Sequence, residues 1–86
     1  MTKKRYTVSV KKSAAKSVRR FSKDMSERIL DAIEGLADNP RPRGCGKVEG
    51  DLWRIWVGRH YRVIYKIDDK DRTVTVIRAK PRESAY

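Results

Sequence analysis

Leu52-Trp53-Arg54-Ile55-Trp56-Val57 alternates in character residue by residue, and after Gly58-Arg59-His60 the stretch Tyr61-Arg62-Val63-Ile64-Tyr65-Lys66-Ile67 does so again. A side-chain period of two is the pattern of a strand with one face buried. In the first stretch Trp53, Ile55 and Val57 share a face, opposite Leu52, Arg54 and Trp56. In the second, Tyr61, Val63, Tyr65 and Ile67 oppose Arg62, Ile64 and Lys66. The Asp68-Asp69-Lys70-Asp71 cluster marks a turn, and Arg72 to Arg78, rich in Thr and Val, predicts a third strand. Connections this short imply an antiparallel meander.

Upstream, Tyr6, Val8 and Val10 alternate with Thr7 and Ser9, a short strand with one apolar face. From Lys11 to Phe21, Ala14, Val18 and Phe21 fall at helical spacing, with Lys12, Lys16, Arg19 and Arg20 around them, so this helix is amphipathic with a basic outer face. Ser22 and Asp24 interrupt that pattern and can cap a second helix. Its stripe is Met25, Ile29, Ala32, Ile33 and Leu36; Glu27, Arg28, Asp31 and Glu34 face water, and Asn39-Pro40 ends it. The tight junction makes the two helices an antiparallel hairpin. Asp38 to Gly46 reads as a loop.

The expected architecture is therefore α+β: an N-terminal strand, a helical hairpin and a three-stranded antiparallel meander, in one domain spanning residues 1–86. The hairpin must cover one sheet face, because its own stripes need burial. If Trp53, Ile55, Val57, Val63 and Tyr65 are on the covered face, then Arg54, Trp56 and Arg62 share the open one.

Lys and Arg number 22 against 11 Asp and Glu, a net charge of +11 spread along the whole chain. Such a surface attracts polyanions; nucleic acid is the first partner to consider, an acidic protein the second. Cys45 is the sole cysteine, so no internal disulfide can form and a reducing compartment fits. No apolar run is long enough for a membrane span or a secretory segment; the expectation is a cytoplasmic protein with no membrane partner. Met1 to Arg5 is a short basic lead.

Familiar catalytic constellations are missing. The lone His60 falls in a turn, the carboxylates lack metal-ligand spacing, and Gly44-Cys45-Gly46 has no strand–loop–helix setting for a phosphate. No metal and no small-molecule cofactor are expected. What remains is a group of cations with tyrosines, which suffices to cleave RNA. The ribose 2′-OH attacks the adjacent phosphate and expels the 5′-oxygen, so the site needs a proton acceptor, a proton donor and cations around the transition state. Arginine suits the last task, with a fixed charge and a fork for phosphate oxygens. Arg54 keeps its proton and cannot serve as the base. Trp56 can either stack on a base or pack beneath a chain terminus.

Gly50-Asp51-Leu52-Trp53-Arg54-Ile55-Trp56-Val57-Gly58 with Tyr61-Arg62-Val63-Ile64-Tyr65 resembles the central signature of RelE/ParE-type toxins. So do Ser26 to Ile33 through Asn39-Pro40-Arg41-Pro42, and the end, Arg78-Ala79-Lys80-Pro81-Arg82-Glu83-Ser84-Ala85-Tyr86. The resemblance implies a helical hairpin over a curved antiparallel sheet, and a cognate acidic, RelB-like antitoxin. The RelE-like branch implies a metal-independent endoribonuclease that cuts mRNA held in the ribosome. Motif by motif, its catalytic residues correspond to Arg54, Arg62, Arg82 and Tyr86, with Lys47, Trp56 and Lys80 as RNA-binding positions. Arg62 would hold the scissile phosphate, Arg82 would stabilise the transition state, and Tyr86 would stack or join proton transfer. Lys47 and Lys80 would add positive field, and Lys80 is the candidate for a lowered pKa. Trp56 stands where many relatives carry a second cation, and Lys80-Pro81-Arg82 replaces a Gly-His-Arg pattern. The alternatives are a ParE-like inhibitor of DNA gyrase without nuclease chemistry, and an inactive nucleic-acid-binding relative.

Overall fold

A computed structural model of the chain describes residues 5–81. The elements run β1 (Thr7–Val10), α1 (Lys12–Arg20), α2 (Lys23–Gly35), β2 (Gly46–Glu49), β3 (Leu52–Val57), β4 (Tyr61–Asp68) and β5 (Thr73–Pro81). All five strands form one sheet in the order β1-β5-β4-β3-β2; β1 runs parallel to β5 and the other pairs are antiparallel. The expected α+β order of N-terminal strand, helical pair and antiparallel meander is present, with β2 as an additional strand. Only Val48 gives that segment apolar character, so no alternation announced it. It forms because the edge of β3 offers backbone partners at Leu52, Trp53 and Arg54.

Local chemistry sets the helix ends. Ser22 caps α2, its Oγ accepting the Met25 N–H at 3.2 Å, and Asp24 lies in the first turn, where the helix dipole favours a negative charge. Ser26 Oγ donates to the Val18 carbonyl at 2.6 Å and ties the start of α2 to the end of α1. The regular helix ends at Gly35, before Asn39-Pro40. Leu36, Ala37 and Asp38 donate to the carbonyls three residues back, a tightened last turn.

The core lies between the helices and one sheet face. Ala14, Val18, Ile29, Ile33 and Leu36 pack on Ile55, Val57, Val63, Tyr65, Ile67, Val74, Val76 and Ala79. Among the described residues no polar side chain is fully buried apart from the tyrosine hydroxyl of that set. Among the described residues no helix is long and apolar enough to cross a membrane.

One irregularity matters more than the rest. Tyr65 pairs with Val76, but Ile64 pairs with Arg78, so Ile77 is an extra residue in β5. Strict alternation from Val74 and Val76 would send Arg78 and Lys80 into the core. The bulge reverses the parity. Ala79 is buried instead, and Arg78 and Lys80 turn to the uncovered face.

The loop from Asp38 to Gly46 is firmly held. Tyr65 Oη donates to the Pro40 carbonyl at 2.7 Å. Arg41 grips Asp69 with both guanidinium nitrogens, at 3.2 and 2.8 Å, and Tyr6 Oη donates to the same carboxylate at 2.6 Å. Arg41 and Lys47 lie over the Trp53 ring, at 4.9 and 5.9 Å from its centroid. Trp53 was expected on the covered face; it is there, half-buried beneath these cations.

Two consequences can be measured. Burial, with the Cys45 thiol nearby, pushes the Tyr65 hydroxyl up to about 12. Tyr65→Phe leaves the Pro40 carbonyl without its partner and should cost about 1–2 kcal/mol in chemical denaturation. The hydrogen bonds from Arg41 and Tyr6 hold Asp69 at about 2, below its ordinary 3.8. As pH falls the unfolded chain therefore binds this proton first, so the contribution of Asp69 is whole above the ordinary carboxylate range and drains away as pH falls toward 2. The melting-temperature gap between the parent and Asp69→Asn should be widest near neutrality and should close as pH falls from about 4 toward 2.

Candidate functional site

The helices leave one sheet face bare, and the strand registers fix what it carries. Trp56 pairs with Arg62, and Arg62 with Lys80. One step along, Gly46 pairs with Arg54, Arg54 with Ile64, and Ile64 with Arg78. Directly opposed residues share a face, so the open side holds two neighbouring rows: Trp56–Arg62–Lys80 and Gly46–Arg54–Ile64–Arg78. Four cations stand in these rows, without a carboxylate. Arg54 and Arg78 are two strands apart, roughly 10 Å. Glu49 belongs to the next row, opposite Leu52, and Asp68 to the row beyond, where its carboxylate accepts the Asp71 N–H.

Arg54 has a defined seat. Its guanidinium lies 5.4 Å from the Trp56 ring centroid and over Gly46, so close that a Cβ on Gly46 would come within 2.7 Å of Nη2. Glycine there lets the side chain lie flat across the edge strand. The Nε atoms of Arg54 and Arg62 are both buried and have no hydrogen-bond partner among the described residues. Buried donors are normally satisfied, and the described residues of this face offer these two no partner. Trp56 is 40% exposed, so its ring is available for stacking.

The structure brings together Arg54, Trp56, Arg62 and Lys80 from the sequence expectations. Lys47 stands apart: it pairs with Trp53 and so points to the opposite face, over the Trp53 ring. That separates it from the other expected RNA-binding positions, a placement that could not be read without the β2–β3 register. Arg82 and Tyr86 lie outside the described residues. Arg78 was missed as a site residue. Its signal was hidden by the bulge, because strict alternation puts it on the covered side. His60 is exposed in the turn between β3 and β4 and belongs to neither row.

A sheet with a helical pair on one face and a cationic second face that no described element covers defines the class. Residues 5–86 match the family described as the ParE toxin of the type II toxin–antitoxin system parDE, and the chain belongs to that family. The RelE toxin in the archaeal RelE–RelB complex from Pyrococcus horikoshii OT3 is similar, with a TM-score of 0.84 and 33% identity over 93% of this chain and 98% of that one. The isolated E. coli RelE toxin shares the fold at a TM-score of 0.77 and 23% identity, covering 93% and 87% of the two chains. So does the YoeB/ParE toxin from Agrobacterium tumefaciens, at 0.74 and 18%, covering 90% and 99%. A comparison with curated protein sequences found no match. The protein is thus a toxin of a type II toxin–antitoxin system with a RelE-like fold.

The seat of Arg54 can be tested through its neighbour. Gly46→Ala should leave the denaturation midpoint within about 0.5 kcal/mol of the parent, because only the far end of a flexible side chain must move. The displaced guanidinium should then weaken binding of single-stranded RNA, measured by fluorescence anisotropy.

Proposed function

We propose that the chain is a ribosome-dependent endoribonuclease that cuts translated mRNA. The observation that carries this reading is the pair of cationic rows with two buried, unpartnered Nε donors on a face that also presents an indole. Phosphates sit against Arg54, Arg62, Arg78 and Lys80, and a base stacks on Trp56. The 2′-oxygen attacks the neighbouring phosphorus, the bond to the 5′-oxygen breaks, and a cyclic phosphate and a free 5′-hydroxyl result. The nucleophile's proton goes to a base and the leaving oxygen gains one. Negative charge grows on the non-bridging oxygens during the attack, which is where fixed guanidinium groups help most. The step as written uses no metal and no cofactor.

The two rows supply cations and a stacking surface, with no imidazole or carboxylate to trade protons. Much of the rate must therefore come from alignment of the 2′-OH for in-line attack, which can be worth several kcal/mol. A programmed ribosome provides that alignment. The family's motif assigns Arg82 to the transition state and Tyr86 to stacking or proton transfer, and both are part of the proposal. So is the partner. The archaeal relative was solved with RelB, and a chain of net charge +11 with an uncovered sheet face suits a cognate acidic antitoxin of that kind.

The deciding experiment induces the chain in growing cells, maps mRNA ends and assays gyrase supercoiling in parallel. Cleaved messages with unaffected supercoiling are expected; intact messages with inhibited gyrase would replace the nuclease by a ParE-like poison. Arg62→Ala and Arg82→Ala should each lower cleavage on programmed ribosomes by about 100- to 1,000-fold while antitoxin binding persists. Arg19→Ala, on the outer face of α1, should stay toxic. Naked RNA should be cut far more slowly than ribosome-bound mRNA.

A further inference from the structure

β2 accompanies β3 only as far as Arg54. Among the described residues, the Ile55–Val57 stretch of β3 has no strand beside it on that edge. The chain before β2 bows away, closed by a hydrogen bond from the Cys45 N–H to the Pro42 carbonyl at 3.0 Å. A notch of about 400 Å³ opens there, bounded by Ala32 and Gly35 of α2, Pro42 and Gly44 of the loop and Trp56 of β3, with Arg43 as its charged member. Trp56 lines this notch and also ends the row that holds Arg62 and Lys80. The notch is thus where the cationic face continues around the sheet edge.

We propose that this notch receives one splayed-out base of the RNA whose phosphates lie on the cationic rows. The proposal rests on the nuclease reading and adds to it a site that reads base identity. Charge supports an RNA occupant: among the described residues no carboxylate lines the cavity, and Arg43 gives it a positive rim. Shape supports a flat, unpaired base, because the space is bounded by an indole, a proline ring, Ile55 and the small residues Ala32, Gly35 and Gly44. An unpaired strand edge supports specificity, since its free N–H and C=O groups can pair with the polar edge of a base. The cavity is also truly open beside α2, where a Cβ on Gly35 would meet nothing within 4 Å.

That open space supplies the test. Gly35→Leu fills the notch from a helical position without touching the cationic rows, and leucine is a far better helix former than glycine. The probe is a short 2′-O-methyl RNA, which cannot supply the nucleophile, carrying 2-aminopurine at one position at a time. With the full-length parent chain, one position should show a stacking-dependent fluorescence change. Gly35→Leu should abolish that change and weaken binding by about tenfold, while Gly35→Ala, one carbon in an open space, keeps both. If Gly35→Leu fails to fold, Ala32→Met fills the same cavity from the previous turn and is read in the same way. Should the filled variants keep the positional signal and the affinity, the notch proposal falls while the nuclease reading stands. Should they lose an acidic antitoxin peptide but keep the RNA signal, the notch is a protein-docking site and the proposal again falls. If the parent itself binds no RNA, both readings fall together.

Discussion

Between Val76 and Arg78, β5 holds one residue more than β4 opposite it, and that single insertion divides the sheet into its two roles. Before it, Val74 and Val76 point at the helices. After it, Ala79 takes the inward place and Arg78 and Lys80 turn outward. Without the extra residue, two cations would face an apolar layer at a steep cost, and the two rows would lose two of their four cations. The bulge costs one irregular pairing and separates core from site within one strand.

The rest of the molecule supports this division. Two short helices cover one side of the sheet, and 86 residues leave nothing among the described elements to cover the other. A face left bare must be polar to stay in solution, and here it is cationic. Arg54 and Arg62 keep their Nε atoms shielded from water, and the Arg54 guanidinium also rests against the Trp56 ring. Preorganisation is what makes a guanidinium effective against a developing negative charge. Below the sheet edge, the grip of Arg41 on Asp69 and of Tyr65 on the Pro40 carbonyl fixes the loop that forms the wall of the notch.

Much of this was legible in the sequence. The alternation through Leu52–Val57 and Tyr61–Ile67 predicts two strands and puts Arg54, Trp56 and Arg62 on the face opposite Ile55, Val57, Val63 and Tyr65, as the structure shows. Ser22 reads as a helix cap and is one. Three things were not legible, each for a physical reason. β2 exists because β3 has a free edge, a tertiary cause with little local signature. Lys47 goes to the Trp53 side because of the register β2 adopts. Arg78 joins the site because of a bulge, and a period-two reading cannot see an extra residue. The family resemblance named Lys80 through its motif, a route that does not depend on parity; the register puts it opposite Arg62.

Under the proposed function, RNA phosphates lie on Arg54, Arg62, Arg78 and Lys80, and not on the equally basic outer face of α1. Salt dependence measures this directly. For single strands, the slope of log affinity against log salt falls by about 0.7 for each phosphate contact removed. Changing these four sheet residues to alanine should therefore reduce the slope by roughly 3 for a non-cleavable RNA. The same substitution of Lys12, Lys16, Arg19 and Arg20 should leave it nearly unchanged. The reverse outcome, a slope lost with the α1 cations and kept without the sheet cations, would contradict the account.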